Sequence, residues 1–69
     1  MTPTDLINSV PTATNADEMC DWFAKVQKYA VEAKNSIIEN TATAGLFFSD
    51  NADKIIKFRR IALAQLKAI

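Results

Sequence analysis

The sequence predicts an all-α protein: an antiparallel helical hairpin with a long helix over about residues 16–44, a second helix over about residues 51–68, and a short N-terminal helix over about residues 3–9 packed on its open end. Three observations predict it. Met19, Phe23, Val26, Ala30, Ala33 and Ile37 recur in alternating steps of four and three, the spacing that holds side chains on one stripe of an α-helix. Prolines stand only at positions 3 and 11 and the lone glycine at position 45, each at the edge of a periodic segment. No stretch alternates apolar and polar residues as a half-buried strand does.

With 69 residues the chain makes one small domain, residues 1–69. A core of that size rarely supplies more than about 3–5 kcal/mol, so such chains lean on disulfides, metals, regular packing or a partner. One cysteine and no histidine remove the first two. Regular helix packing or oligomerisation is left.

The N-terminal helix starts at Thr2, with Pro3 at the first helical position, where its missing N–H costs nothing, and Asp5 in the first turn. Leu6, Ile7 and Val10 give it a short apolar face, and Pro11 ends it by disfavouring helix at Val10. Asn15 caps the long helix, with Glu18 placed to reach back as in a capping box. Around that helix the apolar arc spreads to about 220°, taking in Trp22 and Tyr29 on one flank and Cys20, Ala24, Val31 and Ile38 on the other. A helix with one neighbour needs a stripe of only about 100° or slightly more, so this one needs at least two neighbours, from the chain or from another copy. Cys20, on that arc, reads as a small buried hydrophobe in a reducing compartment.

Gly45 is expected just past the end of the long helix, as the left-handed residue of a C-terminal cap, with an end near Asn40 as the alternative. Leu46, Phe47 and Phe48 then fill a tight connector, either as a plug for the end of the hairpin or as an exposed hot spot. Ser49 or Asp50 is expected to cap the last helix. Its apolar arc holds Ala52, Ile55, Ile56, Phe58, Ala62, Leu63, Leu66 and Ile69. Arg59 falls inside that arc. It either snorkels from the rim, pairs with a carboxylate of the hairpin, or faces a partner protein or phosphate. Ile61 sits conversely on the charged side.

Charge is uneven although the net is zero. Residues 1–22 carry Asp5, Asp17, Glu18 and Asp21 and no cation; residues 54–69 carry Lys54, Lys57, Arg59, Arg60 and Lys67 and no acid. Either the two ends complement one another inside the hairpin or they present a field to a partner.

Catalysis has little to stand on: no histidine, no glycine-rich phosphate loop and no paired cysteines. No cofactor or metal is implied. The expected function is therefore binding, by a small helical adaptor or inhibitor that docks on a larger protein and associates with itself. A homo-oligomeric assembly subunit is the first alternative, and a nucleic-acid-binding protein using the basic C-terminal helix the second. Candidate partner contacts are Trp22, Tyr29, Val31 and Ile38 on the surplus flanks, with Arg59, Arg60 and Ile61 on the last helix. Candidate phosphate contacts are Lys54, Lys57, Arg60 and Lys67. The absence of a long apolar run or a signal-peptide pattern leads to an expected cytoplasmic location, and the composition suits the small proteins of phages and mobile elements.

Overall fold

A computed structural model describes residues 2–12, 14–48 and 50–69. They form four helices, α1 (Pro3–Asn8), α2 (Ala16–Glu32), α3 (Ser36–Phe47) and α4 (Ala52–Lys67), with no strand among the described residues. The all-α class holds, as does the short N-terminal helix packed on a helical hairpin.

Every helix starts on a side-chain cap. Thr2 and Asp5 exchange bonds in a full capping box: Asp5 N donates to Thr2 Oγ1 at 3.2 Å and Thr2 N to Asp5 Oδ2 at 3.1 Å. The other three caps are asparagines. Asn15, Asn35 and Asn51 accept through Oδ1 from the backbone N–H of Glu18, Ile38 and Lys54 at 3.1, 3.2 and 3.2 Å. The cap of the last helix is thus Asn51, and not Asp50 as the sequence suggested; Ser49, the other candidate, lies outside the described residues.

The expected long helix is two helices. At Ala33–Asn35 the chain closes α2 with a Schellman arrangement, in which Lys34 N donates to Val31 O at 3.2 Å and Asn35 N to Ala30 O at 2.9 Å. Lys34 takes the left-handed conformation this requires, φ 55, a place normally held by glycine. Asn35 then caps α3, so the chain turns back on itself within three residues. Apolar periodicity runs through the corner because Ala30, Ala33 and Ile37 keep the spacing, but the direction of the chain does not.

Gly45, expected at a helix end, lies inside α3 and is buried. A β-carbon there would stand 2.5–2.7 Å from Cε1, Cζ and Cδ1 of Phe23. The glycine lets α3 lie against that ring, which is fully buried in the centre of the core. Gln27 Nε2 donates to Thr43 Oγ1 at 3.0 Å nearby, which fixes α2 and α3 as an antiparallel pair.

α4 returns antiparallel to α3. At its start Phe58 stacks on Phe48, centroids 5.9 Å apart and planes 3° from parallel. At its end Gln65, Ala68 and Ile69 line one groove with Asn35, Ile37 and Ile38. α4 therefore runs in the same sense as α2, with which it has little contact, and α1 packs chiefly on α4 while also touching α2. Leu6, Met19, Phe23, Val26, Ile38 and Leu66, one or more from each helix, are the large side chains at the centre.

Candidate interaction site

The N-terminal segment is held by two long-range hydrogen bonds. Trp22 Nε1 donates to the Leu6 carbonyl at 2.9 Å in the interior, and Arg59 Nε donates to the Pro11 carbonyl at 3.0 Å. α1 ends at Asn8 because Pro11 stops the helix, so both carbonyls are spared by helix bonding and open to side-chain donors. This answers the puzzle of Arg59. It is half-buried and paired with a backbone oxygen, where the sequence offered a snorkel, a carboxylate partner or a foreign contact.

The structure sorts the sequence-predicted contact residues. Trp22 and Ile38, expected on open flanks of a long helix, are 2% and 1% exposed and belong to the core. The corner at Lys34 accounts for Ile38, since it turns that residue inward towards α2; α1 covers Trp22. Tyr29 is half-buried against the core and Val31 is 53% exposed. Arg60 is exposed and Ile61 half-buried. Cys20, expected to be buried, is half-buried and free. Phe47 is 78% exposed while Phe48 lies half-buried on Phe58, so one phenylalanine plugs the turn and the other faces solvent.

The four candidate phosphate contacts separate into two pairs. Lys54 Nζ lies 5.6 Å from the centre of the Phe48 ring and Lys57 Nζ 6.0 Å from that of Phe58, both within cation–π range. Arg60 and Lys67 instead line an open groove of about 370 Å³ along the outer face of α4, together with Ile56, Arg59, Leu63 and Ala64. Positions 56, 60, 63, 64 and 67 follow the helical repeat, so this is one stripe of α4 about 16 Å long. Ile56 is 46% exposed and Leu63 half-buried: the stripe has an apolar floor with a cation on each flank.

Sequence reading placed Ile56, Leu63 and Ile69 in the buried arc of the last helix. The signal that they overflow it was available, because that arc extends over about 160° when a single packed face needs little more than 100°. A second groove, of about 240 Å³, lies at the corner end and is lined by Ile37 and Ile69, which are 66% and 61% exposed. Gln65 Oε1, also on its lining, is buried without a hydrogen-bond partner.

The expected complementarity of acidic and basic ends does not take the form of ion pairs among the described residues. The first turns of α2 and the last turns of α4 lie at opposite ends of the bundle, and α1 packs against both helices. Among the described residues no group of three or more metal-ligating side chains is placed to hold an ion, and no helix is long and apolar enough to cross a membrane. Compared with protein-family models, curated proteins and solved structures, the chain finds no match.

Proposed function

We propose that this protein is a non-catalytic interaction module that docks on another protein through the outer face of α4. The observation that carries the reading is the α4 stripe, where the half-exposed Ile56 and Leu63 lie between Arg59 and Arg60. An apolar centre rimmed by charge is the anatomy of a protein-binding patch, and an arginine-flanked one is enriched among interface hot spots. A phosphate-binding face has no use for an isoleucine and a leucine at its middle. We place the module in the reducing cytoplasm, where Cys20 stays a thiol.

A second reading is self-association through the corner groove, favoured by Ile37 and Ile69 on its lining. The experiment that tests the two together is molar mass by light scattering across a wide range of concentration, on the native chain, Ile37→Glu and Ile56→Asp. The docking reading expects a native monomer with an α4 face free for a foreign partner. A native dimer dissociated by Ile37→Glu alone supports the second reading beside the first. A dimer dissociated by Ile56→Asp alone would assign the α4 face to self-association and refute the first.

A further inference from the structure

Resting on that reading, we infer that the α4 face selects an acidic amphipathic helix of a partner protein. Three features lead there. First, residues 54–69 hold five cations and no acid, while the rest of the chain holds all eight acids and only three lysines. Charge is thus segregated along the neutral chain, and the docking stripe itself carries Arg59, Arg60 and Lys67 and no acid.

Second, Arg59 is already oriented. Its Nε is tied to the Pro11 carbonyl at 3.0 Å, and its terminal amino groups have no acceptor among the described residues. A guanidinium carries five N–H donors in a rigid fork, so four remain, aimed from a side chain whose stem is fixed before any partner arrives. A receptor ordered in advance loses less conformational freedom on binding. Carboxylate is the group that matches the fork, and a carboxylate beside an apolar stripe is what an acidic amphipathic helix offers.

Third, the shape is that of a helix seat. Ile56, Leu63 and Lys67 run along the middle of the stripe, with Arg59 on one flank and Arg60 on the other by helical projection. A partner helix of about three turns covers the stripe, placing apolar residues on Ile56 and Leu63 and its glutamates or aspartates on the two flanks. A second copy of the chain fits less well. A two-fold pair across this stripe sets Arg59, Arg60 and Lys67 against the same three cations, and a head-to-tail contact on the acidic start of α2 does not close.

The test is titration of the isotope-labelled full chain with a synthetic helical peptide bearing leucines on one stripe and glutamates beside it, followed by NMR. Controls are the same peptide with glutamine for glutamate, the same with lysine for glutamate, and a short DNA duplex. The glutamate peptide is expected to shift the amides of Ile56–Lys67 saturably, to bind about tenfold tighter than the glutamine form, and to lose that advantage in high salt. Arg60→Glu, at an exposed position that leaves the fold intact, is expected to reverse the order of the glutamate and lysine peptides. If glutamate and glutamine peptides bind α4 equally, the acidic selection is refuted while protein docking stands. If the DNA shifts those amides and no peptide does, both fail.

Discussion

Gly45→Ala is the substitution that most sharply interrogates this fold. In the interior of an exposed helix the change is favourable by about 1 kcal/mol, because alanine has the higher helix propensity. At position 45 the added methyl would stand 2.5–2.7 Å from three atoms of the Phe23 ring. That ring cannot swing aside. It is fully buried and packs edge-on to Trp22 with centroids 5.2 Å apart, and Trp22 is itself bonded to the Leu6 carbonyl. Overpacking of a core costs about 1–3 kcal/mol, and a ring so confined belongs in the upper part of that range. The net expectation is a loss of about 1–2 kcal/mol, or a melting temperature lower by about 4–8 °C for each kcal/mol in a domain of this size.

The assay is urea denaturation followed by Trp22 fluorescence and far-ultraviolet circular dichroism on the native chain, Gly45→Ala, Phe23→Leu and the double variant. Leucine at 23 vacates the space that the methyl needs, so Gly45→Ala is expected to be harmless or favourable in that background. The cycle should show a coupling of about 1 kcal/mol or more. The same glycine in a left-handed cap would also resist alanine, but shortening Phe23 would then bring no relief. A Gly45→Ala variant that gains stability, or a cycle with no coupling, refutes the packing of α3 on Phe23.

Three further outcomes follow from the same geometry. Lys34→Gly should stabilise the protein by up to about 1 kcal/mol in thermal melts, since it relieves a left-handed lysine; a loss of about 1 kcal/mol would instead indicate an unbroken helix through residue 34. Trp22→Phe should cost about 1 kcal/mol or slightly more, because it removes the indole donor and leaves the Leu6 carbonyl only its longer bond from Ser9 Oγ at 3.3 Å, and a change within about 0.5 kcal/mol would count against the indole bond. Val31→Asp should leave the unfolding free energy within about 0.5 kcal/mol of native, whereas Ile38→Asp should abolish cooperative unfolding; the opposite pattern would mean that α2 and α3 bury other faces than those described.

Much of this architecture was legible from residue order. Thr2, Pro3 and Asp5 announce α1, Asn15 announces α2, and the apolar stripes name Met19, Phe23, Val26, Ala30, Ile55, Ala62 and Leu66 as core. The corner at Ala33–Asn35 was hidden because its left-handed residue is a lysine, and because the apolar spacing continues across it undisturbed. Asn35, two residues before the Ile37-Ile38 pair, was the available clue, since the chain uses the same residue type to start α2 and α4. Gly45 misled for the converse reason: the one residue that commonly ends helices is here used for close packing. As for the candidate site, Arg59 stood out as a charge inside an apolar arc, but its apolar companions Ile56 and Leu63 were absorbed into a core arc too wide for one neighbour. What a backbone carbonyl offers to a distant arginine is invisible in side-chain patterns, so the Pro11 bond could not be read in advance.

That bond and its partner at Trp22 distribute constraint unevenly along the chain. Each joins a particular donor, an indole or a guanidinium, to an oxygen that every residue type carries. The tether therefore recognises the path of the N-terminal segment and is indifferent to its lettering. Substitutions near residues 6 and 11 that keep the backbone route can accumulate without loosening it, subject only to the packing of Leu6 and the turn at Pro11. At positions 22 and 59 no other side chain offers the same donor in the same place. Two residues on α2 and α4 thus hold the memory of where the first eleven residues belong, and the segment itself is left free to drift.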